Sequence, residues 1–358
     1  MLYIRADGNT QIGMGHIMRC LSIAEAAVAL GAEYKPVFLV ADEGCRGMIE
    51  ERGFCVMVLH TDYKNMISEL PQLKKILEQG QDILLVDSYQ ADTAYFEAIS
   101  ELAFTVCLED MGEPYPVDLL INYNLYAPKL REKYQFNGRP LNTLLGAEYM
   151  PLRSVFQKDI DYHVKDKVTD VMITTGGSDP YFAAGAFTDA FLSAEHELRC
   201  GDDKNQITWH IVSGPFNAFA DRLKENYGGH GNVVIYEGLK DLKALMKSCD
   251  VVLTATGSTV YEVSALGVPM IAFYFAENQR QGAEELAELT DIVNVGCVSD
   301  DRDNVIVKAI EALRKCINNK KYRMLLYKQE RRLIDGKGAG RIASEIFRLQ
   351  EEQNSRVL

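Results

Sequence analysis

The 358-residue sequence lacks a long apolar run. No stretch approaches the roughly 18 uninterrupted apolar residues that a membrane-spanning helix needs. A basic and then apolar signal segment is also missing at the start, where Met1 leads directly into the strand-like run LYIRA. We therefore expect a cytoplasmic protein with no membrane span.

Basic residues are too few to balance the acidic ones. The chain has 38 lysines and arginines against 51 aspartates and glutamates, which gives a formal net charge of −13. Nucleic acids bind net basic surfaces, so we expect no nucleic-acid partner. Local basic residues can still hold a small phosphate ligand, and the composition leaves the oligomeric state open.

Clusters of metal ligands are missing as well. The eight cysteines occur singly, without a CxxC motif, and the histidines show no ligand spacing to one another or to the cysteines. Single cysteines in apolar runs such as FTVCL are typical of buried thiols in a reducing compartment. We expect no metal and no cofactor, although Asp87 and Asp110 leave a divalent cation open.

Short runs rich in valine, isoleucine and leucine alternate with longer helical patterns, which is typical of βα units in parallel sheets. Six such runs lie in each half of the chain: 2–6, 36–41, 56–59, 82–87, 104–109 and 118–122, then 168–175, 206–213, 232–236, 250–255, 269–275 and 291–295. The polar segment 123–168 is predicted to cross between two domains. We predict an α/β protein of two Rossmann-like domains in tandem, residues 1–150 and 151–358, the second carrying C-terminal helices. In such sheets ligands bind beyond the carboxyl ends of the strands, so a cleft is expected between the domains.

The loop after the first predicted strand reads DGNTQIGMGHIMR. The spacing of the apolar residues that follow predicts a helix start near Gly15 or His16. Gly13 and Gly15 let the backbone approach a ligand closely, and the exposed N–H groups of a helix start favour an anion. The same positive helix end favours a neutral imidazole, so His16 is a candidate general base. A helix cap or a phosphate donor is an equally good interpretation of His16 from these residues alone.

A second loop contains TATGSTVYE, between residues 251 and 281. A buried strand there meets a helix start near Ser258 and Thr259, where hydroxyls and free N–H groups suit a diphosphate. Glu262 lies one turn further on, where a carboxylate can accept hydrogen bonds from ribose hydroxyls. Capping explains Ser258 and Thr259 without a ligand, and Glu262 is also an ordinary first-turn acid. The polar cluster AENQRQ follows the next strand at the same edge.

A third loop, ITTGGSDPYF, places Gly176 and Gly177 after a predicted strand and before a helix that Pro180 initiates. Asp179 is equally well interpreted as an N-cap or as a ligand group. Weaker candidates, each no better than a turn, follow other predicted strands: Asp87 with Tyr89, Asp110, and Asn124.

Several segments together resemble a known family in order and spacing. They are RADGNTQIGMGHIMRCLSIAEA, LLVDSYQAD, LEDMGE, LLINYNLYA, GAEYMPLR, TTGGSDP and TATGSTVYEVSALGVP. They resemble the UDP-sugar hydrolases of pseudaminic acid biosynthesis and the related spore coat polysaccharide proteins, over nearly the whole chain. The resemblance implies the GT-B fold of two Rossmann-like domains, which the peptidoglycan N-acetylglucosaminyltransferase shares. It also implies a hydrolase that uses water where such transferases use a sugar acceptor.

The resemblance assigns roles to residues that match the family's motifs. His16, in the GxGH motif, would be the base that activates water. Ser258 and Thr259 match the diphosphate loop, and Glu262 matches the ribose-binding acid. Two departures, Phe182 in place of a common asparagine and Ser88 in place of a histidine of some relatives, bear on sugar preference. The full set of substrate-binding residues that the resemblance implies is Gly13, Gly15, Arg19, Tyr89, Asn124, Arg153, Gly177, Ser178, Asp179, Gly257, Ser258, Thr259, Glu262, Asn278 and Gln279.

The implied reaction is hydrolysis of a UDP-linked 2,4-diacetamido-2,4,6-trideoxyhexose at the anomeric C1–O bond, with inversion and without a metal. UDP and the free sugar would be released, in pseudaminic acid or surface polysaccharide biosynthesis. Two alternatives stay open. One is a GT-B glycosyltransferase with a UDP-sugar donor, and the other is a non-catalytic module that binds nucleotide sugars.

Overall fold

The computed structural model describes residues 1–9, 11–32, 35–78, 81–157, 160–198, 206–239 and 242–357. The chain forms two compact units. Unit 1 comprises residues 1–157 together with 336–358, and unit 2 comprises residues 158–335. Each unit is built on its own parallel sheet, as the alternation of strand and helix patterns predicts.

Unit 1 contains a seven-stranded parallel sheet in the order β3-β2-β1-β4-β5-β6-β9, and β7 and β8 form a small antiparallel pair. The strands are β1 (Leu2–Ala6), β2 (Val37–Val40), β3 (Cys55–Val58), β4 (Ile83–Asp87), β5 (Phe104–Leu108), β6 (Leu119–Asn122), β7 (Gln135–Phe136), β8 (Arg139–Pro140) and β9 (Thr143–Leu145). The first four helices are α1 (Gly15–Ala29), α2 (Arg46–Glu51), α3 (Leu70–Ile76) and α4 (Thr93–Ser100). Short 3-10 helices lie at Met66–Glu69, Ala127–Lys133, Ala147–Tyr149 and Ser154–Gln157.

Unit 2 contains a six-stranded parallel sheet in the order β12-β11-β10-β13-β14-β15. Its strands are β10 (Asp170–Thr174), β11 (Thr208–Ser213), β12 (Val233–Glu237), β13 (Val251–Ala255), β14 (Met270–Tyr274) and β15 (Val293–Cys297). Its helices are α5 (Ala183–Ser193), α6 (Glu195–Leu198), α7 (Ala220–Tyr227), α8 (Leu242–Ser248), α9 (Ser258–Leu266), α10 (Glu277–Leu289), α11 (Arg302–Asn318) and α12 (Lys320–Leu333). The chain then returns to unit 1 for α13 (Gly338–Val357).

The first six strands of each unit follow the 3-2-1-4-5-6 order of the Rossmann fold. The direction of winding reverses between β1 and β4 in unit 1 and between β10 and β13 in unit 2. Central strands such as β4 (ILLVD) and β13 (VVLTA) are buried at every residue, because helices cover both faces of the sheet. The predicted class, two Rossmann-like α/β domains, is therefore confirmed.

All twelve predicted strands are present, with bounds that differ by at most two residues. The sequence pattern missed β9, which pairs with β6 and extends the sheet of unit 1. Its apolar run is only three residues long, and it lies inside the segment 123–168 that is predicted to cross between the domains. In the structure, residues 123–157 belong to unit 1.

The last helix also differs from the sequence prediction, which places all C-terminal helices in the second domain. α12 packs on α9 of unit 2, but α13 packs on α1 and on the 3-10 helix Ala147–Tyr149 of unit 1. Gly338 allows this close return, since a Cβ there would overlap the carbonyl oxygen of Met150. Across the described ranges no helix, α13 included, is long and apolar enough to cross a membrane.

A buried carboxyl group lies where α12 meets the start of β14. Glu330 has no exposed surface, and its Oε1 accepts a hydrogen bond of 3.2 Å from the Met270 N–H. Its Oε2 has no hydrogen-bond partner among the described residues. Burial raises the pKa of Glu330 well above its usual range, although the Met270 bond acts in the opposite direction. The folded chain therefore holds a proton on Glu330 that the unfolded chain releases.

We expect Glu330→Gln to stabilise the protein at pH 7 by about 1 kcal/mol or more, because the amide still accepts from Met270 and carries no charge to bury. The pKa of Glu330 is raised on folding, so the wild type loses stability as pH rises above about 4.3, the value in the unfolded chain. The variant avoids this loss. Urea unfolding at pH 5 and pH 7.5 measures the difference, with Glu311→Gln on the exposed face of α11 as the control. Equal stability slopes against pH in the wild type and Glu330→Gln would contradict a neutral buried Glu330.

Candidate active site

Two segments of unit 1 meet where the strand order reverses. β1 and β4 are neighbours, with Ala6 opposite Asp87, and a helix follows each strand. Doubly wound sheets bind ligands outside the carboxyl ends of the strands at such a switch point. His16 lies in the first turn of α1 and Asp87 is the last residue of β4, so strand order brings together two side chains that are 71 positions apart.

The turn between β1 and α1 is shaped by Asn9 and Gly13. The Asn9 side-chain oxygen accepts the N–H groups of Gln11 and Ile12 at 2.9 and 3.1 Å, and the Gly13 N–H donates to the Asn9 carbonyl at 2.8 Å. Gly13 has φ of +76°, a left-handed conformation that favours glycine. The space where a side chain would stand is open at both Gly13 and Gly15, so both positions leave room for a ligand.

His16 is 6% exposed, and its Nδ1 lies 2.7 Å from Oδ1 of Asp87. An ionised carboxylate only accepts hydrogen bonds, so Nδ1 carries the hydrogen in this contact. In the neutral imidazole Nε2 is then the unprotonated nitrogen. Within the described part of the chain, no hydrogen bond occupies Nε2. The arrangement therefore leaves a lone pair on Nε2 that can accept a proton.

Arg19, one turn along α1 from His16, binds the same carboxylate. Its Nε and Nη2 donate to Oδ2 and Oδ1 of Asp87, both at 2.5 Å, and its Nη1 donates to the Tyr123 hydroxyl at 2.6 Å. Burial alone would raise the pKa of Asp87, but the charge of Arg19 and the hydrogen bonds from Arg19 and His16 lower it to about 2. Asp87 is therefore ionised at neutral pH and holds the imidazole in one orientation.

A small open pocket lies beside His16. Tyr89 is 59% exposed there, its ring makes a T-shaped contact with the imidazole at 4.8 Å between centroids, and its hydroxyl donates to Asp110 at 2.8 Å. The Tyr63 hydroxyl donates to Gln11 at 2.8 Å. Aromatic rings combined with a few fixed polar groups are typical of small-molecule sites. The residues that line the pocket are Asp7, Ile12, His16, Tyr63, Asp87, Ser88, Tyr89 and Gln90.

Asp7 is held in this pocket by a buried ionic network. Its Oδ1 accepts the Ala41 N–H at 2.7 Å and its Oδ2 accepts from Arg5 at 2.6 Å. Arg5 is fully buried, and its Nε donates to both oxygens of Glu69, at 2.8 and 3.0 Å. Glu69 also accepts the Tyr95 hydroxyl at 2.6 Å. Because removal of one partner from such a network leaves a buried charge unpaired, the network fixes the carboxyl end of β1.

In unit 2, two loops at the carboxyl edge of the sheet hold each other. The loop after β10 contains Gly176, with φ of +81°, and the exposed Gly177 and Ser178. The Phe216 N–H, after β11, donates to the Gly177 carbonyl at 2.9 Å. A Cβ on Gly214 would overlap the Gly176 carbonyl oxygen, so only glycine permits this approach. Gly214 is therefore needed for backbone packing and Gly176 for its left-handed conformation, whether or not this loop contacts a ligand.

Asp179 caps the start of α5. Its Oδ1 accepts the Ala183 N–H at 2.7 Å, its Oδ2 accepts the Ala184 N–H at 3.0 Å, and the residue is 1% exposed. The carboxylate therefore binds the first N–H groups of α5 although Phe182 occupies the N-cap position, and contact of Asp179 with a ligand stays a prediction. Pro180 does not initiate the helix, since α5 begins at Ala183, after Phe182 in the left-handed conformation.

α9 begins directly after β13 without a capping side chain. Its N-cap is Gly257, which is exposed, so Ser258 and Thr259 do not occupy the capping position. The first N–H groups of α9 therefore lack a side-chain acceptor at the N-cap, which suits an anion. Three buried hydroxyls without a hydrogen-bond partner in the described chain lie at the adjacent strand ends of β11, β10 and β13: Ser213, Thr175 and Thr256.

The other predicted residues of unit 2 lie on α9 and α10. Glu262 is half-buried in α9, and Asn278 is exposed in the first turn of α10. The Gln279 side-chain oxygen accepts the Phe275 N–H at 2.9 Å, so this side chain binds the backbone between β14 and α10. Glu262 thus lies one turn into α9, and Asn278 and Gln279 lie just after β14, as predicted, whereas contact of all three with a ligand stays a prediction.

Two predicted residues of unit 1 have other partners in the structure. The N–H and Nδ2 of Asn124 both donate to Oδ1 of Asn122 at 3.0 Å, which ties Asn124 to the end of β6. The Arg153 guanidinium lies 5.0 Å from the Phe156 ring centroid. The structure therefore gathers His16, Arg19 and Tyr89 around Asp87 and gives Asn124 and Arg153 contacts elsewhere in the unit.

From the sequence Asp87 is only a weak candidate, whereas in the structure it binds both His16 and Arg19. The one available signal is that a charged residue closes the otherwise apolar run ILLVD, and a buried charge needs a partner. Tyr63 and Gln90 reach the pocket from loops without a motif.

Asp87 and Asp110 are the two carboxylates that the sequence leaves as possible ligands of a divalent cation. In the structure Asp87 accepts hydrogen bonds from Arg19, and Asp110 accepts one from Tyr89. No cluster of three metal-binding side chains exists among the described residues.

We expect the neutral imidazole of His16 to be the Nδ1–H tautomer. The hydrogen bond to Asp87 requires the proton on Nδ1, so Nε2 should show the ¹⁵N chemical shift of an unprotonated nitrogen. Long-range ¹H–¹⁵N correlation of protein labelled with ¹⁵N-histidine reads the tautomer, and His16→Gln identifies the signal. An Nε2–H tautomer would contradict the donation from Nδ1 to Asp87.

No family model matches the chain. It is 23% identical to the spore coat polysaccharide biosynthesis protein SpsG of Bacillus subtilis, over 98% of both chains. It is 24% identical to the UDP-2,4-diacetamido-2,4,6-trideoxy-beta-L-altropyranose hydrolase of Campylobacter jejuni, over 79% of this chain and 95% of that protein. It is also 25% identical to the uncharacterized protein MJ1062 of Methanocaldococcus jannaschii, over 78% of this chain, and it spans about half, 56%, of that longer relative.

Solved structures show the same fold. MurG of Acinetobacter baumannii has a TM-score of 0.65 at 12% identity, over 97% of this chain and 99% of that one. S. aureus MnaA, in a co-structure with UDP, has a TM-score of 0.62 at 13% identity, over 96% and 95%. The GT-B fold that the motifs imply is confirmed. The chain is a two-unit α/β protein of this fold, similar in sequence to proteins named as a UDP-sugar hydrolase of the diacetamido series and as a spore coat polysaccharide biosynthesis protein.

Proposed function

We propose that the protein hydrolyses a UDP-linked 2,4-diacetamido-2,4,6-trideoxyhexose at C1–O, giving UDP and the free sugar with inversion, in pseudaminic acid or surface polysaccharide biosynthesis. The name of the C. jejuni relative supports this substrate, and a protein of the same fold has been solved with UDP. The observation that carries the proposal is the 2.7 Å contact between His16 Nδ1 and Asp87. It leaves Nε2 as a base at a pocket of unit 1.

The chemistry assigned to unit 1 is activation of water. Nε2 of His16 would take a proton from the water as its oxygen bonds to C1, and the C1–O electron pair would leave with UDP. The Asp87 carboxylate would keep the imidazolium in place through Nδ1–H, as carboxylates do in other carboxylate–histidine pairs. Attack on the face of the sugar opposite the leaving group inverts C1. A positioned base typically contributes about 10²- to 10⁴-fold to the rate.

The chemistry assigned to unit 2 is stabilisation of the leaving diphosphate. The N–H groups at Gly257, Ser258 and Thr259 would bind the diphosphate at the start of α9. Glu262 would accept hydrogen bonds from the ribose. Preorganised donors aimed at developing charge are usually the largest single contribution to catalysis. These donors would stabilise the leaving diphosphate without a metal ion.

A glycosyltransferase that uses a UDP-sugar donor is the second candidate. The fold fits this reaction too, since a protein named as a glycosyltransferase, from Rickettsia africae, shares it with a TM-score of 0.62. The two reactions differ in what replaces UDP at C1, water or an acceptor hydroxyl. They are therefore separated by whether UDP forms in the absence of any acceptor.

We expect the wild type to release UDP from a UDP-diacetamido-trideoxyhexose without an acceptor, and His16→Gln to lower kcat by about 10³-fold, because the base is lost. The affinity for UDP, which is assigned to unit 2, should change less than about threefold. A coupled UDP assay and titration calorimetry measure the two effects, and His163→Gln, an exposed histidine of unit 2, is the control.

Three results would contradict this assignment. Full activity of His16→Gln would remove His16 from the chemistry. UDP release that requires an added acceptor would favour the transferase. No turnover by the wild type, with UDP still bound, would favour a non-catalytic binding module.

In ¹⁸O-labelled water we expect no label in the UDP product, because water attacks C1 and the glycosidic oxygen leaves with the phosphate. UDP is the informative product, since a reducing sugar slowly exchanges its anomeric oxygen with water. Mass spectrometry of UDP reads the result, and ¹H NMR of the first-formed anomer reads inversion. Label in UDP would mean that water attacks the β-phosphorus and breaks the P–O bond to the sugar, which would contradict attack at C1.

A further inference from the structure

The resemblance implies that Arg19 binds substrate, but its guanidinium is committed to the protein. Nε and Nη2 form a fork on Asp87, and Nη1 donates to Tyr123, so each of the three nitrogens has a protein acceptor. The side chain is 13% exposed. The guanidinium also lies 5.6 Å from the centroid of the Tyr123 ring. A bidentate fork fixes the plane of the guanidinium, so Arg19 offers little surface to a ligand.

Arg19 and His16 converge on one carboxylate oxygen. They lie three residues apart on α1 and therefore share a helix face. His16 Nδ1 and Arg19 Nη2 are 2.7 and 2.5 Å from Oδ1 of Asp87, and 2.8 Å from each other. Because Nδ1 carries a hydrogen, the 2.8 Å separation is between two donors to one acceptor. A permanent positive charge thus stands beside the imidazole.

This charge changes what Asp87 does to His16. A carboxylate that faces a histidine alone favours the protonated imidazole, whereas a nearby cation disfavours it. Arg19 neutralises Asp87 and adds its own repulsion of a second positive charge. The other charged and titratable groups around the imidazole, from every segment that lines it, are Asp7 after β1, Cys20 on α1, Tyr63 after β3, Tyr89 after β4, Asp110 after β5 and Tyr123 after β6.

The surrounding charged groups have partners of their own, and the Cys20 thiol is uncharged. The charge of Arg19 is therefore the one that acts on the imidazole. Asp7 is paired with Arg5. Asp110 accepts from Tyr89 and lies 3.8 Å from Arg19 Nη1, so its charge also acts on the guanidinium. Burial raises the pKa of the Cys20 thiol well above its usual range, which keeps that neighbour uncharged.

We infer that Arg19 is a positioning residue for the base and not a substrate contact. It fixes Asp87, so that the carboxylate anchors Nδ1 of His16, and it places a permanent positive charge 2.8 Å from the imidazole, which opposes a second positive charge there. This inference rests on the proposed role of His16 as the base. It assigns Arg19 two tasks, which are to orient the base and to oppose a positive charge on it.

Two substitutions separate the charge of Arg19 from its geometry. Arg19→Met removes both the charge and the fork, and Arg19→Lys keeps the charge but cannot form the fork. In an NMR titration of ¹⁵N-histidine protein, we expect His16 of Arg19→Met to take up its proton about one to two pH units higher than in the wild type. In Arg19→Lys we expect a shift below about 0.5 unit. Arg52→Met is the control, since Arg52 forms an exposed ion pair with Glu25 in the same unit.

Kinetics give a second readout of the same variants. The acidic limb of the kcat/KM profile should move upward by the same one to two units in Arg19→Met, with KM within about twofold of the wild type. Arg19→Lys should lower kcat about tenfold at unchanged KM, because Asp87 and the imidazole lose their fixed orientation. A purely structural role for Arg19 would not move the acidic limb.

Two results would overturn the inference. One is an unchanged His16 titration in Arg19→Met, and the other is a tenfold rise in KM at unchanged kcat, which would make Arg19 a substrate contact. The titration needs no activity, so it decides the role of Arg19 even if the protein proves not to be a hydrolase. If circular dichroism shows that Arg19→Met does not fold, Arg19→Lys still separates the two roles, because loss of a positioning residue lowers kcat and loss of a substrate contact raises KM.

Discussion

The carboxylate of Asp87 ends a strand that is buried on both faces, and a charge in such a place must be compensated. Arg19 and His16 compensate it from the first helix of the chain. That helix reaches Asp87 only because β1 and β4 are neighbours in the 3-2-1-4-5-6 order. Strand order therefore brings the ion pair and the imidazole together, and the ion pair holds the imidazole in one orientation.

The two units use the same fold in different ways at their switch points. In unit 1 the strand ends carry ionised groups that are paired with one another, Asp87 with Arg19 and Asp7 with Arg5. In unit 2 the corresponding edge carries the uncapped start of α9 and buried hydroxyls such as Thr175 and Thr256. Paired charges hold a base in a fixed orientation, whereas helix N–H groups and hydroxyls bind an anion. The chemical division that we propose between the units follows from this difference.

Backbone geometry supports both sites. Gly13 takes a left-handed conformation in the turn before α1, and Gly214 lets the loop after β11 pack on Gly176. A side chain at either position would strain the turn or separate the loops. These glycines are therefore needed to shape the strand ends before any ligand is considered, which is also true of Asp179 as the cap of α5.

The sequence by itself determined the elements. Strands such as ILLVD and VVLTA are visible because burial on both faces makes them continuously apolar, and the helix start at His16 follows from local spacing. It did not determine which distant groups meet. The amphipathic pattern of α13 shows that one face is buried but not that the partner is α1, and β9 is too short for its own signal. The sequence showed an acid at the end of β4, but only the tertiary structure decided that His16 and Arg19, 71 and 68 positions away, share its carboxylate. Periodicity reports burial within a few residues, whereas a contact across the sheet depends on the order in which the strands pair.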